Sequence, residues 1–221
     1  MELKISRVKR SKADARASYN RLSRWYDRVA GKSEEKYRQI GVRSLNLQPG
    51  ERVLEIGFGT GHCLLGFAQT VGPSGWVCGL DLSDGMAAIT RERLGMGGVL
   101  ERVGLALADG TRTPFQPKFF DAVFMSFTLE LFDSPEIPMV LDECKRVMRD
   151  TGRLTVVAMA KTRPPGMAEK MYEWFHARMP VLVDCRPIEA EAELEGAGFG
   201  IVNVIRDSMW GLPVEIITAG R

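Results

Sequence analysis

The chain has 221 residues, 45% of them apolar and 26% charged, with 30 basic side chains against 28 acidic ones. This size and balance are typical of one globular α/β domain and exclude a disordered or fibrous chain. The most apolar stretch, near residues 154–160, is far shorter than the roughly 20 residues that span a bilayer. The start, MELKISRVKR, lacks the apolar core of a secretory signal. We therefore expect a cytoplasmic protein with one main domain.

Cysteine and histidine are too sparse for a metal site. The four cysteines show no C-x-x-C spacing, and the chain has two histidines. A Cys/His zinc site would need four such ligands at short spacings. The sequence predicts no metal and reduced, mostly buried thiols at Cys63, Cys78, Cys144 and Cys185.

Positive charge is concentrated in the first part of the chain. Residues 1–43 carry 13 basic and 5 acidic side chains, a net charge of +8, which leaves −6 for the remainder. Apolar residues at steps of three and four predict an amphipathic helix over 13–30, and a second helix is predicted over 33–47 with Ser33 as its N-cap. We interpret residues 1–48 as a helical extension and 49–221 as the main domain. The basic helix can contact an anionic membrane surface, or it can be a solvated face; the charge does not choose between them.

After residue 50, short apolar runs alternate with amphipathic stretches, which is typical of βαβ units around a parallel sheet. The predicted fold class is α/β, a Rossmann-like seven-stranded, mostly parallel sheet with helices on both faces. Pro187 and Gly198 suit the two ends of a helix over 188–197. Strands are predicted near 53–56, 76–80, 103–107, 119–125, 153–160, 199–205 and 214–218, and the other helices near 61–71, 84–94, 135–149 and 167–178.

The strongest motif is VLEIGFGTG at residues 53–61, a strand followed by glycines at alternate positions and then a helix. Glycines let backbone take positive φ or let a ligand approach the main chain, and a helix N-terminus offers free N–H groups. A nucleotide-like cofactor is therefore expected. A dinucleotide site would need a third glycine where His62 stands, so that fingerprint is incomplete.

Acidic residues end three neighbouring predicted strands. Glu55 lies at the end of the first, Asp81 at the end of the second, and Asp109 follows the third with Gly110 beside it. A carboxylate at the second strand can accept both ribose hydroxyls, and one at the third can accept an adenine amine. The simpler interpretations are a helix-capping acid at Glu55 and plain turns at the two aspartates.

These residues resemble the class I S-adenosylmethionine-dependent methyltransferases. The resemblance also includes FDAVFMSFTLELF at 120–132 and RVMRDTGRLTVVAMA at 146–160. It implies S-adenosylmethionine as cofactor and an antiparallel last strand at 214–218. It implies that the glycines wrap the methionine portion, Glu55 lies near its ammonium group, Asp81 holds the ribose, and Ser126 lines the methyl-donor pocket. The implied cofactor-binding residues are Glu55, Gly57, Gly59, Gly61, Asp81, Leu82, Met86, Asp109, Gly110 and Ser126.

Within that family, the Trp25-Tyr26-Asp27 element is similar to the one that precedes the first strand in quinone-biosynthesis C-methyltransferases and phospholipid N-methyltransferases. The resemblance implies that Tyr26 closes the donor site. The quinone enzymes usually carry an Arg-Asn pair in the segment after the fourth strand, where this chain reads FTLELF at 127–132, and this departure counts against a quinone acceptor. The N-P-P-Y element of nucleic-acid methyltransferases is also missing, so a nucleic-acid partner is not expected.

The acceptor side is less defined by the sequence. The apolar segment near 167–183 is interpreted as a lid over a hydrophobic acceptor, a lipid or quinone-like ring taken from a membrane surface. Glu130 and His176 are candidate bases, and Trp174 is a candidate pocket residue, but no catalytic residue is assigned. The alternatives are an NAD(P)-dependent oxidoreductase and a non-catalytic cofactor-binding protein whose basic arm contacts nucleic acid. The sequence does not predict the oligomeric state.

Overall fold

The computed structural model describes residues 11–29, 31–161 and 186–221, with side chains for 11–21, 33–161 and 186–221. The described part contains six α-helices and seven strands. None of its helices combines the length and apolarity needed to span a bilayer. The helices are α1 Lys12–Val29, α2 Gly31–Leu45, α3 His62–Val71, α4 Asp84–Met96, α5 Ile137–Val147 and α6 Ala190–Gly196. The strands are β1 Arg52–Ile56, β2 Trp76–Asp81, β3 Val103–Leu107, β4 Phe120–Ser126, β5 Met148–Met159, β6 Gly200–Met209 and β7 Leu212–Gly220.

The seven strands form one sheet in the order β3-β2-β1-β4-β5-β7-β6. The first five strands are mutually parallel, whereas β7 runs antiparallel to both β5 and β6. This is a doubly wound order with an antiparallel strand inserted near one edge. The predicted fold class and antiparallel last strand are confirmed. Because β1 to β5 are parallel, their carboxyl ends share one edge of the sheet.

The core lies on both faces of the sheet, because alternate residues of a strand point to opposite sides. In β1, Val53 belongs to the cluster under α2, α3 and α4, whereas Leu54 and Ile56 belong to the cluster under α5 and α6. The first helix packs on α4, and α2 packs against β4, β5 and β7. The N-terminal helices therefore lie directly against the sheet domain.

Two predicted helix starts were wrong. The helix predicted from Ser33 begins at Gly31, and the one predicted over 188–197 begins only at Ala190. Ile188 instead forms a parallel bridge with Ala160 and donates its N–H to the Met159 carbonyl at 3.0 Å. Its backbone therefore pairs with the carboxyl end of β5 and is not helical. The predicted helix 167–178 lies outside the described residues.

Candidate active site

A cavity of about 430 Å³ opens at the carboxyl edge of the sheet. This volume is in the range of about 300–1,000 Å³ that is usual for small-molecule pockets. Residues from four strand ends and from α1 contribute to its wall. The described lining comprises Ser11, Lys12, Ala15, Tyr19, Ile56, Gly57, Gly59, Leu80, Asp81, Leu82, Met86, Ala108, Gly110, Ser126, Phe127, Thr128, Leu131, Phe132, Asp133, Pro135 and Glu136.

The turn after β1 presents main-chain atoms to the cavity, because three of its residues are glycines without side chains. Gly57, Gly59 and Gly61 all have positive φ, at 75°, 50° and 78°. A Cβ on Gly57 would collide with Thr128, whereas a Cβ on Gly59 would meet no atom within 4 Å. Gly59 thus leaves open space beside the main chain. We call this space, bounded by the backbone of residues 57–59, the cradle; a side chain at Gly59 would fill it.

Asp81 lies at the end of β2 and lines the cavity. Its Oδ2 accepts a hydrogen bond from the Gly59 N–H and its Oδ1 accepts one from the Ser83 N–H, both at 2.9 Å. Burial raises the pKa of this carboxyl above its usual value. A carboxylate oxygen accepts more than one hydrogen bond, so Asp81 keeps capacity for a ligand hydroxyl while it fixes the glycine turn. Leu82 and Met86, for which the family resemblance implies contacts with the adenine of the cofactor, line the same wall.

Gly110 lines the cavity, whereas Asp109 is not among the described lining residues. The Asp109 carboxylate accepts from the Thr111 N–H at 2.9 Å and forms an ion pair with Lys12. Lys12 also lies 2.7 Å from a Glu136 carboxylate oxygen. The acid predicted to recognise adenine is therefore engaged by the first helix, which the sequence did not indicate.

The first helix closes one side of the cavity with Lys12 and Tyr19. Asn20 attaches this helix to the start of α4, since its Oδ1 accepts from the Ser83 hydroxyl at 2.6 Å and from the Gly85 N–H at 3.0 Å. Tyr26, the predicted closing residue, belongs to α1, but its side chain lies outside the described ones. Lys12 and Tyr19 were not predicted as site residues, and no motif could have found them, because their role depends on how α1 packs.

The turn after β4 supplies side chains to the opposite wall. Ser126, Phe127 and Thr128 line the cavity, and the Phe127 N–H donates to the Val157 carbonyl at 2.7 Å. The backbone of Phe127 has positive φ, at 50°. Of these three residues, only Ser126 was predicted from the sequence.

Glu55 is buried and is not among the described lining residues. Burial raises its pKa to about 8, despite a hydrogen bond with the Cys63 thiol and the nearby charge of Arg38. Its Oε2 has no hydrogen-bond partner. The acid predicted to meet the cofactor's ammonium group is thus placed between β1 and α3, behind the glycine turn.

Glu130 is a second buried carboxyl, in the 3₁₀ turn Leu129–Leu131 that follows β4. Its Oε1 accepts from the Met159 N–H at 3.2 Å, and its Oε2 has no hydrogen-bond partner. Burial raises its pKa to about 8; the charge of Glu34 acts in the same direction and that of Arg186 acts against it. The other two predicted pocket residues, Trp174 and His176, lie outside the described residues.

The residues present fit S-adenosylmethionine. The open cradle at Gly59 can take a slender amino-acid chain, and the Asp81 carboxylate can accept ribose hydroxyls. Gly110, Phe132 and Ile56 give the cavity an apolar lining that suits a base, and a Cβ on Gly110 would crowd Phe132 and Ile56. No group of three metal-ligating side chains occurs within the described part of the chain.

A family profile described as a methyltransferase domain matches residues 53–152. The ubiquinone/menaquinone biosynthesis C-methyltransferase UbiE of Bordetella avium is 34% identical over 139 residues, which are 63% of this chain and 52% of that protein. The chain thus spans about half the length of this curated relative.

Two solved structures share the fold over nearly their whole length. A SAM-dependent methyltransferase from Aquifex aeolicus has a TM-score of 0.66 at 21% identity, covering 91% of this chain and 98% of its own. The cyclase SpnF has a TM-score of 0.78 at 19% identity, covering 98% of each chain. At such identities these likenesses show the fold alone. Residues 53–152, which include the glycine turn and the strands that follow it, thus match a methyltransferase domain, and the two solved structures share the fold of the chain.

Proposed function

We propose that this protein transfers the methyl group of S-adenosylmethionine to a hydrophobic, quinone-like small molecule. The observation that carries the proposal is the cavity in which the Gly57–Gly59 cradle, Asp81 and Gly110 line one continuous wall. Three neighbouring strand ends can thereby hold the amino-acid tail, the ribose and the base of one ligand. The quinone-like acceptor is supported by the named activity of the Bordetella avium relative.

Bound S-adenosylmethionine supplies an activated methyl group on a positively charged sulfur. The protein's task is then to align the acceptor and to exclude water. Phe127, Leu131 and Phe132 make the wall after β4 apolar, which suits an apolar ring. Tyr19 and Ala15 on α1 line the side of the cavity that the first helix forms.

Glu130 is proposed as the group that accepts a proton from the acceptor. A ring carbon that gains a methyl group must lose its hydrogen, and an ionised carboxylate can take it. The free Oε2 of Glu130 lies in the 3₁₀ turn whose next residue, Leu131, lines the cavity. With a pKa of about 8, the carboxyl becomes a base only as the pH approaches that value. The stretch after β4 also lacks the Arg-Asn pair that the quinone enzymes usually carry there, so the acceptor's polar groups need not match theirs.

The deciding experiment incubates the protein with methyl-labelled S-adenosylmethionine and three separate acceptor pools: demethylated quinols, phosphatidylethanolamine vesicles, and a water-soluble extract. Asp81→Asn, which should bind the cofactor more weakly, is the matched control and should transfer less label at the same cofactor concentration. Label in the quinol pool alone supports the proposal, and label in another pool overturns the acceptor. Binding of S-adenosylmethionine without label transfer to any pool overturns the activity.

Glu130→Gln tests the proton step with nearly unchanged shape. We expect the wild-type rate to rise with pH up to about 8, because the base must be ionised. The variant should lose this dependence together with most of the rate. An unchanged pH profile would remove Glu130 from the mechanism.

A membrane surface is proposed as the source of the acceptor, since residues 1–43 carry a net charge of +8. Changing Lys4, Arg7, Lys9 and Arg10 to glutamine tests this without altering the cavity-lining part of α1. Sedimentation with anionic vesicles should show salt-sensitive binding of the wild type and weaker binding of the variant. Equal binding of the two proteins contradicts this part of the proposal.

A further inference from the structure

Phe127 adopts a backbone conformation that is costly for its side chain. Among the described non-glycine residues, four have positive φ, and of these Phe127 lines the cavity; the others are Asn46, Lys118 and Trp210. A bulky L residue rarely takes this conformation, which glycine or asparagine would adopt at lower cost. Such strain at a ligand site points to a use for the side chain itself.

The surroundings hold the Phe127 ring in one position. Its backbone N–H is fixed on the Val157 carbonyl at 2.7 Å, and its ring lies edge-to-face with Tyr37, with centroids 6.5 Å apart and planes at 89°. Tyr37 is held in turn by a hydrogen bond of 2.5 Å from its hydroxyl to the Ser208 carbonyl. Only 5% of Phe127 is exposed. A ring held by two elements of the fold is preorganised for contact with a ligand.

Phe127 lies where the middle of the proposed cofactor, between its amino-acid tail and its ribose, would be bound. The next residue, Thr128, packs so closely on Gly57 that a Cβ there would collide with it. Gly59, two residues on, is tied to Asp81 by its N–H. In S-adenosylmethionine the sulfur lies between the amino-acid tail and the ribose. If the cradle takes the tail and Asp81 takes the ribose, as the proposed function requires, the sulfur lies beside Ser126–Thr128.

We propose that the Phe127 ring contacts the positively charged sulfonium and thereby distinguishes the methyl donor from its demethylated product. An aromatic face attracts a cation, most strongly where water is excluded. The product, S-adenosylhomocysteine, has the same tail, sugar and base but a neutral sulfur. The contact therefore favours the donor and is lost after transfer, which assists product release. This inference rests on the proposed function.

The test measures the dissociation constants of S-adenosylmethionine and S-adenosylhomocysteine by calorimetry. Phe127→Leu removes the aromatic face and retains an apolar side chain. We expect affinity for the donor to fall roughly twofold to thirtyfold, with little change for the product. Phe132→Leu is the matched control, because Phe132 lines the cavity beside Gly110, away from the sulfur. It should weaken both ligands alike.

Two further variants keep the result interpretable. Phe127→Asn removes the ring while favouring the left-handed backbone, so it should fold even if the leucine variant does not. Phe127→Tyr keeps an aromatic face and should retain the wild-type preference for the donor. Equal losses for donor and product in Phe127→Leu or Phe127→Asn overturn the role of Phe127. A wild type that binds neither ligand overturns the proposed function instead.

Discussion

Two turns line the cavity. Each follows a parallel strand, and each contains backbone in the left-handed conformation. The turn after β1 does so with three glycines, whereas the turn after β4 does so with Phe127. In the first turn, a side chain would collide with Thr128 or fill the cradle. In the second, the side chain forms part of the wall.

The comparison separates two kinds of recognition. The glycine turn presents backbone and the carboxylate of Asp81, which suit polar groups at fixed positions. The second turn presents apolar side chains, and the carboxyl of Glu130, which follows it, is buried and is not among the described lining residues. The glycine turn suits the polar groups of the cofactor, and the apolar side chains of the second turn suit the acceptor.

Gly57→Ala should have the largest effect, because the new methyl group collides with Thr128 and the backbone has a φ of 75°. Strain and overpacking together predict a loss of about 2–4 kcal/mol of unfolding free energy in urea denaturation. Gly59→Ala is the control: it should cost only about 1 kcal/mol of stability, since its Cβ meets no atom, yet it should weaken cofactor binding. Equal losses of stability would mean that the contact with Thr128 is not what requires glycine.

Asp81→Asn tests whether the polar turn recognises the cofactor through charge. Loss of a charged hydrogen-bond acceptor predicts a fall in S-adenosylmethionine affinity of about 10- to 100-fold, measured by calorimetry. Asp84→Asn is a matched change three residues away, where the carboxylate bonds Arg16 and Asn20 at the surface. Similar affinities for the two variants would exclude Asp81 as the ribose ligand.

Glu130→Gln tests whether the buried carboxyl of Glu130 makes the stability of the protein depend on pH. Between pH 4.5 and about 8 the folded protein keeps this proton, whereas the unfolded chain has released it. Unfolding then releases a proton, so stability falls as pH rises, by at most about 1.4 kcal/mol per pH unit for each such group. Denaturation at several pH values should show a smaller slope in the variant. Glu55→Gln should reduce the slope similarly, since the pKa of Glu55 is also about 8.

Lys12→Gln should have the smallest effect. Its ion pairs with Asp109 and Glu136 are partly exposed, so the expected loss of stability is below about 1 kcal/mol and should vanish in 1 M salt. Lys118→Gln, which removes a surface pair with Asp150, is the control. Only Lys12→Gln should alter cofactor affinity, because Lys12 lines the cavity. No difference between the two variants would mean that α1 does not influence binding.

Most of the fold could be predicted because its signals are local. Apolar runs and their spacing predicted all seven strands, and the breaks between them predicted the helices that cross from strand to strand. The errors lie at helix starts: Ile188 was predicted to lie in a helix, but its backbone forms a bridge with Ala160, the residue after β5. A partner distant in sequence overrode the local preference.

The sequence by itself determined the sheet, the glycine cradle and the presence of acids at three strand ends, because periodicity and glycine positions act within a few residues. Only the tertiary structure decided which of those acids line the cavity: Asp81 does, whereas Glu55 is buried behind the turn and Asp109 is paired with Lys12. It also decided that Phe127 and Tyr19 complete the wall. The physical reason is that a side chain's surroundings depend on the packing of helices far away in the chain, and no spacing in the sequence specifies that packing.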